Sequence, residues 1–200
     1  MTQPSLEPIR ESIRRMFTDR GDSMYAGEPV TQTQHALQCA HFAEQAGAAP
    51  RLIVSALLHD VGHLLHDLGE DCAQHGVDDH HEDRGAEWLA EHFPAEVVEP
   101  VRLHVAAKRY RCAIDPEYLA KLSDASVLSL KLQGGPMSPE EQLAFREHPQ
   151  WRDALRLRLW DEAAKDPELA VAPLAHYLDV VRQYLATFER EIGSHRTGGV

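Results

Sequence analysis

The stretch SALLHDVGHLLHD, residues 55–67, places two His-Asp pairs inside an apolar run. The apolar residues suit a buried helix and are Leu57, Leu58, Val61, Leu64 and Leu65. The polar residues threaded between them are His59, Asp60, His63, His66 and Asp67. Burying such groups is costly unless each is paired, hydrogen-bonded or bound to a metal ion. The stretch therefore predicts a buried site with a polar or metal-binding role.

The composition bounds the class of protein. A chain of 200 residues predicts one domain with a real core. It has no apolar segment long enough for a signal peptide or a membrane span, so we expect a cytoplasmic protein without membrane association. The net charge of −12 argues against nucleic-acid binding but leaves room for a local basic pocket for a small anion.

Histidine and cysteine usage both bear on metal binding. The chain has 13 histidines, a first indication of a metal site. Its three cysteines, Cys39, Cys72 and Cys112, are widely separated and form no Cys-x-x-Cys pair. This pattern argues against a disulfide framework and a zinc ribbon, and it predicts reduced structural thiols.

Hydrophobic periodicity predicts helices almost throughout. The predicted helices cover residues 5–19, 31–46, 50–68, 81–92, 95–108, 116–130, 149–164 and 172–191, with a loop at 20–30 and another capped helix start after QGGPMSPEE. No strand alternation, repeat or interior linker interrupts them. We therefore expect an all-α, single-domain helical bundle over residues 1–200, with a core at about 24–190, a flexible tail at 193–200 and a site between helices.

The residues alone already suggest how metal could be held. Positions three and four apart share one face of a helix, so His59, Asp60 and His63 are predicted to cluster. An Asp can bridge two metal ions with its two oxygens. A mixture of imidazole and carboxylate ligands suits iron, manganese or zinc better than calcium.

Other predicted helices offer further ligands, namely His35, His81, His104 and Asp161. An isolated histidine is more often a surface or hydrogen-bonded residue than a ligand, so six receive no role: His41, His75, His92, His148, His176 and His195. His66 is a candidate for orienting a ligand. The ordered combination, one ligand segment per helix, is much more specific than any single His-Asp dipeptide.

This order of residues resembles the HD-domain superfamily of metal-dependent proteins, most of which are phosphohydrolases. The segment HHEDRGAEW is similar to the superfamily's third-helix motif, in which the ligand histidine stands four residues before a glycine. The motif selects His81, with His80 as the alternative.

A narrower resemblance spans roughly residues 24–165. MYAGEPVTQTQHALQCA, LLHDVGHL, LHVAAKRY, LSLKLQGGPMS and RLWDEAAK together resemble the PhnZ-type oxygenases. These are mixed-valence di-iron HD-domain proteins that cleave the carbon–phosphorus bond of 1-hydroxyphosphonates with dioxygen. The resemblance implies two iron ions, Fe(II) and Fe(III), and O2 as co-substrate. It also implies one set of iron ligands formed by His35, His59, Asp60 and Asp161, and a second formed by Asp60, His81 and His104, with Asp60 bridging.

The resemblance also implies roles around the irons. Tyr25 would occupy an iron coordination position and swing out when substrate arrives, with Glu28 as its gating partner. His63, Lys108 and Ser126 would contact the phosphonate. Lys108 suits this role because it lies one helical turn after a ligand histidine and carries a point charge.

The implied reaction releases phosphate and a carboxylic acid, such as glycine or a betaine, from a 1-hydroxy-2-aminoethylphosphonate-type substrate. Both a primary amine and a trimethylammonium remain open, and we rank the primary amine first. The predicted partner is a small organophosphonate, with no obligatory protein partner.

Two other functions compete with this one. An HD phosphohydrolase would use its metals to activate water against a nucleotide or another phosphate ester. A regulatory or metal-sensing module would show a broken ligand set or an exposed apolar surface. Tyr25, Glu28 and the complete ligand set favour the oxygenase.

Overall fold

The computed structural model describes residues 7–25, 27–66, 72 and 75–197, with side chains up to residue 191. These residues contain eleven α-helices: α1 (Glu7–Arg20), α2 (Gln32–Gln45), α3 (Pro50–Leu58), α4 (His81–Ala90), α5 (Ala95–Arg102), α6 (His104–Ile114), α7 (Pro116–Lys121), α8 (Asp124–Leu132), α9 (Pro139–Glu147), α10 (Trp151–Ala163) and α11 (Leu174–Thr197). A 3₁₀ turn spans Val61–Leu64. The described part has no strand beyond a single bridge between Met24 and Thr31, which confirms the all-α class.

Several helices begin where the sequence signals predict. Thr31 caps α2 in a reciprocal hydrogen-bond pair with Gln34, and Ser138 caps α9 with Glu141 in the same way. Pro50 occupies the first turn of α3, where its missing N–H costs nothing. These local signals determine where the helices start, whereas the apolar faces determine how the helices pack.

Helix α3 forms the centre of the core. It packs against α2, α5, α10 and α11, and Leu52, Val54, Leu57 and Leu58 are fully buried or nearly so. Burying each such side chain contributes roughly 1.5–3 kcal/mol. The His-Asp pair that follows Leu58 is therefore attached to the most firmly packed helix.

The predicted helix over residues 50–68 is wrong in its second half. Helix α3 ends at Leu58, and Asp60 has φ −102° and ψ 14°, outside helical geometry. A Cβ atom at Gly62 would lie 2.0 Å from the carbonyl oxygen of His81. The 3₁₀ turn therefore lies directly against the backbone at the start of α4, and only glycine fits at position 62. His59 and Asp60 lie at a helix end rather than along one helical face.

Other predicted boundaries also differ. The predicted helix 95–108 is split after Arg102, which places His104 at the start of α6. The predicted helix 116–130 is split at Ser123, whose side chain accepts a hydrogen bond from the backbone N–H of Ser126 and caps α8. Helix α11 extends to Thr197, beyond the predicted end at 191 and into the expected flexible tail. Residues 198–200 of that tail lie outside the described residues, and so does Asp67. Over the described residues, no helix is long and apolar enough to cross a membrane.

Candidate metal centre

The candidate metal centre lies where five helical segments meet. It contains six donor side chains, all largely or fully buried: His35 on α2, His59 and Asp60 after α3, His81 at the start of α4, His104 at the start of α6 and Asp161 on α10. The structure thus brings together all six of the ligands expected from the resemblance. His80, the alternative to His81, is exposed and has a left-handed φ of 50° at the N-cap of α4.

Four donors form a first group. The Nε2 atoms of His35 and His59 lie 3.1 Å apart. Oδ2 of Asp60 lies 3.2 Å from Nε2 of His59, and Oδ1 of Asp161 lies 3.5 Å from Nε2 of His35. Ligand atoms about 2.1 Å from a shared ion lie roughly 3 Å apart. These distances suit a common metal ion.

Three donors form a second group on the other side of Asp60. Its Oδ1 atom lies 3.3 Å from Nε2 of His104 and 3.6 Å from Nε2 of His81. The Nε2 atoms of His81 and His104 are 3.1 Å apart. Because each oxygen of Asp60 faces its own pair of imidazoles, the carboxylate can bridge two ions.

Each of the four imidazoles has its other nitrogen engaged. The Nδ1 atoms of His35, His59, His104 and His81 contact the carbonyl oxygens of Ala164, Ala56 and Val101 and the carboxylate of Asp79, at 2.8, 2.9, 2.6 and 2.9 Å in that order. An oxygen of this kind only accepts, so Nδ1 carries the proton. The Nε2 lone pairs are then free for a metal.

The donor set is incomplete as a hydrogen-bonded network. Both oxygens of Asp60 and Oδ1 of Asp161 are buried without a hydrogen-bond partner. Two facing Nε2 lone pairs also repel each other at hydrogen-bond distance. Buried polar atoms are almost always satisfied, and a cation between them would satisfy these. The residues therefore fit metal ions, and their imidazole–carboxylate chemistry is that of iron, manganese or zinc.

Arg158 organises the carboxylate of Asp161. Its Nη1 atom lies 2.5 Å from Oδ2 of Asp161, it also pairs with Glu162, and its Nε donates to the hydroxyl of Tyr118 at 2.7 Å. Burial works to raise the pKa of Asp161, but the guanidinium and the neighbouring histidines outweigh it and hold that pKa well below its usual value. Asp161 is thus kept ionised with Oδ1 turned to the donor group.

Tyr25 lies against the first donor group. Its ring stacks on His35 with 3.7 Å between centroids and 11° between planes. Burial, with the nearby charges of Asp60 and Asp161, raises the pKa of the phenol well above its ordinary value. The N–H of Glu28 donates to the carbonyl oxygen of Tyr25 at 2.7 Å, so the two residues form one turn.

A cavity of about 720 Å³ opens onto the donors. Its volume falls in the range of small-molecule sites. Among the residues that line it are all five expected around the irons: Tyr25, Glu28, His63, Lys108 and Ser126. All five therefore face the same cavity.

Two buried cations line this cavity although the chain carries a net charge of −12. Lys108 donates from Nζ to the hydroxyl of Ser129 at 3.0 Å. Burial, and then the charge of Arg158, lowers the pKa of Lys108 to about 8. Carboxylates also line the cavity, and Arg158 is paired with Asp161 and Glu162, so Lys108 supplies the local positive charge with which a small anion could pair.

Asp79 connects the cavity to the metal donors. Its Oδ2 atom lies 2.7 Å from Nδ1 of His63 and 3.1 Å from Nε2 of His66, while Oδ1 contacts His81. Burial would lower the pKa of His63, but Asp79 and the charge of Asp60 outweigh it and raise that pKa. Asp79 therefore links His66 to His81.

Asp79 and Arg158 were not predicted as site residues, although the spacing of each from a ligand could have indicated it. Asp79 stands two residues before His81, within reach of the first turn of α4. Arg158 stands three residues before Asp161, on the same helix face.

Comparison with known proteins gives three relatives that cover most of the chain, while no protein-family model matches it. The chain is 45% identical over 175 residues to the [1-hydroxy-2-(trimethylamino)ethyl]phosphonate dioxygenase (glycine-betaine-forming) of Leisingera caerulea, covering 88% of this chain and 89% of that protein. It is 42% identical over 167 residues to the hydroxymethylphosphonate dioxygenase of Gimesia maris, covering 83% of each. It is 33% identical over 178 residues to an uncharacterised protein of Acanthamoeba polyphaga mimivirus, covering 88% and 81%.

Proposed function

This chain belongs to the PhnZ-type, HD-domain family of phosphonate dioxygenases, and we propose that it is a di-iron oxygenase of phosphonate catabolism. Its substrate is a 1-hydroxy-2-aminoethylphosphonate-type compound with the amine free or N-methylated. One O2 is consumed, the C–P bond breaks, and C1 becomes a carboxylate while phosphorus leaves as phosphate. One oxygen atom is added to each fragment, so the atoms balance without a further reductant.

The main support for this proposal is that both carboxylate oxygens of Asp60 are buried without a hydrogen-bond partner. Each faces a separate pair of histidine nitrogens, an arrangement that supports two ions rather than one. His35, His59 and Asp161 would complete one iron site, and His81 and His104 the other. Bound iron in the Fe(II)/Fe(III) state supplies O2 activation and acidifies the substrate hydroxyl.

The protein's own residues fix the phosphonate. Lys108 offers a buried ammonium, and Ser126 offers a hydroxyl at the same wall. Asp79 holds His63 at Nδ1 and raises its pKa, so the imidazolium form can donate from Nε2. These three donors would orient the phosphonate so that C1 faces the bridging carboxylate of Asp60.

Tyr25 and Glu28 would control access to the first donor group. The stacking of Tyr25 on His35 keeps water from this side of the centre. A phenol close to the donors can serve as an oxygen ligand at rest and leave when substrate enters. The hydrogen bond between the N–H of Glu28 and the carbonyl oxygen of Tyr25 would couple a movement of one residue to the other.

Electron paramagnetic resonance of aerobically purified protein tests the proposal. We expect two iron ions per chain, a signal from a coupled Fe(II)/Fe(III) pair, and a change in that signal when [1-hydroxy-2-(trimethylamino)ethyl]phosphonate is added. A single zinc or manganese ion, with no iron-dependent turnover, would contradict the proposal and favour an HD-domain phosphohydrolase.

A further inference from the structure

Lys165, just beyond α10, occupies a position that the metal chemistry does not use. Its Nζ atom lies 3.1 Å from Oε1 of Glu28, 3.1 Å from Oε1 of Glu162 and 3.2 Å from the hydroxyl of Ser126. An ammonium has three donors, and this one has three acceptors. The side chain is 14% exposed. Lys165 is thus a largely buried, fully engaged cation directly behind the cavity wall.

The contact changes what Glu28 presents to the cavity. Glu28 is 12% exposed, and its Oε1 atom also accepts a hydrogen bond from the hydroxyl of Ser123 at 2.5 Å. Charges buried to this degree are poorly screened by solvent or salt. The ammonium of Lys165 therefore cancels much of the negative potential that Glu28 would otherwise project onto a substrate.

From these contacts, and resting on the proposed function, we propose that Lys165 determines substrate specificity by competing with the cationic group of the substrate for Glu28. A phosphonate with an ammonium or trimethylammonium group must share Glu28 with Lys165 or displace it. A phosphonate without a positive charge meets no such competition. Lys165 therefore sets how strongly the enzyme prefers cationic over uncharged substrates.

Other carboxylates of the cavity do not replace Glu28 in this role. Asp19, Asp22 and Asp124 also line the cavity, but all three are exposed. Exposed charges contribute little to an ion pair. The buried Asp79 and Asp161 are already paired with histidines and with Arg158, and Asp78 lies beside His80. The largely buried Glu28 is the carboxylate whose charge Lys165 controls directly.

The contact with Ser126 gives Lys165 a second effect, which is the same for every substrate. Because Nζ donates to the Ser126 hydroxyl oxygen, the hydroxyl hydrogen is free to point into the cavity. All phosphonates would use this donor equally. The ratio of two affinities therefore isolates the effect on Glu28 from a general effect on the site.

The test is anaerobic titration calorimetry of the iron-loaded protein, which measures binding without turnover. The two ligands are [1-hydroxy-2-(trimethylamino)ethyl]phosphonate and hydroxymethylphosphonate. In Lys165→Met, we expect the Kd ratio to shift toward the trimethylammonium compound by about tenfold, the size of a freed charge–charge contact. Lys165→Arg keeps the charge and should stay within about threefold of the wild-type ratio. Lys121→Met removes an exposed lysine of α7 and should change nothing.

Glu28→Gln provides an independent measurement if Lys165→Met fails to fold. We expect it to shift the ratio the opposite way, and we expect Lys165→Met to have a smaller effect in that background than in the wild type. A ratio unchanged by Lys165→Met or by Glu28→Gln would overturn the inference while leaving the proposed function intact. Failure of the wild-type holoenzyme to bind either phosphonate would instead overturn the proposed function.

Discussion

Lys108 is buried in its charged form at the cavity wall, where it is 5% exposed. Its pKa in the folded protein, about 8, lies below the ordinary 10.5 because of burial and Arg158. The folded state thus binds the proton less tightly than the unfolded chain. Stability rises with pH between about 8 and 10.5, and at neutral pH the buried charge costs about 3 kcal/mol. In the proposed function, this destabilising charge serves to bind the phosphonate.

We therefore expect Lys108→Met to raise the free energy of unfolding of the metal-free protein by about 1–3 kcal/mol at pH 7. The gain should shrink as the pH approaches about 10, since the wild-type lysine is then neutral when folded. The variant should also lose phosphonate binding. Urea unfolding at the two pH values and a phosphonate titration measure these effects. Equal stability of both proteins at pH 7 would contradict the account.

Asp79 tests the link between the metal donors and the cavity. Its carboxylate contacts His81, His63 and His66, and outer partners of this kind are typically worth 10–100-fold in metal affinity. We expect Asp79→Asn to lose iron in that range, measured by graded chelator competition. Asp83→Asn, at an exposed position in the first turn of α4, is the matched control. Equal iron retention in the two variants would show that Asp79 does not hold His81.

At the scale of elements, the close approach of α4 to the 3₁₀ turn positions His81. A Cβ atom at Gly62 would lie 2.0 Å from the His81 carbonyl oxygen, whereas one at Gly85 would lie 3.2 Å from the backbone nitrogen of Gly62. Gly62→Ala must therefore displace backbone, and Gly85→Ala needs only a small shift.

We expect a graded result from these two variants. Gly62→Ala should lower the free energy of unfolding by about 2–3 kcal/mol and reduce iron binding at least about tenfold. Gly85→Ala should lose about 1 kcal/mol or less. Chemical denaturation and iron counting measure both. Equal losses for the two variants would show that the approach of α4 does not position the ligand.

Helix starts were predictable from the sequence, but the break after α3 was not. The capping pairs at Thr31 and Ser138 and the proline at Pro50 act within one turn, so their signals are local. The break depends on Gly62 meeting the backbone of α4, nearly twenty residues away. The periodicity of residues 57–64 is typical of a buried helix because Leu57, Leu58, Val61 and Leu64 are buried in the observed turn as well, whereas Leu65, also expected to be buried, is 37% exposed.

At the scale of the whole molecule, the donor groups join α2, α3, α4, α6 and α10 at one point. The spacing of single histidines along separate helices was visible in the sequence, and the resemblance gave them roles. The contacts of Asp79, Arg158 and Lys165 were not visible as a network. Their partners come from distant segments, and a lone charged residue usually indicates a solvated surface.

Because the six donors lie on five helical segments, a metal bound to them would stabilise the folded protein. We expect a chelator to lower the Tm of the iron-loaded protein, by an amount that corresponds to about 4 kcal/mol when iron exceeds its Kd about 1,000-fold. Asp60→Asn, which lacks the bridging carboxylate, should show little response to chelator. Scanning calorimetry of the two proteins provides the comparison. A wild-type Tm that is insensitive to chelator would contradict a metal centre at this junction.

The central claim is that O2 is consumed as the C–P bond breaks. The most direct measurement follows O2 uptake and phosphate release together, with [1-hydroxy-2-(trimethylamino)ethyl]phosphonate and the iron-loaded protein. We expect one O2 to be consumed for each phosphate released, and no phosphate release under strictly anaerobic conditions. Phosphate release that continues at the same rate without O2 would contradict it.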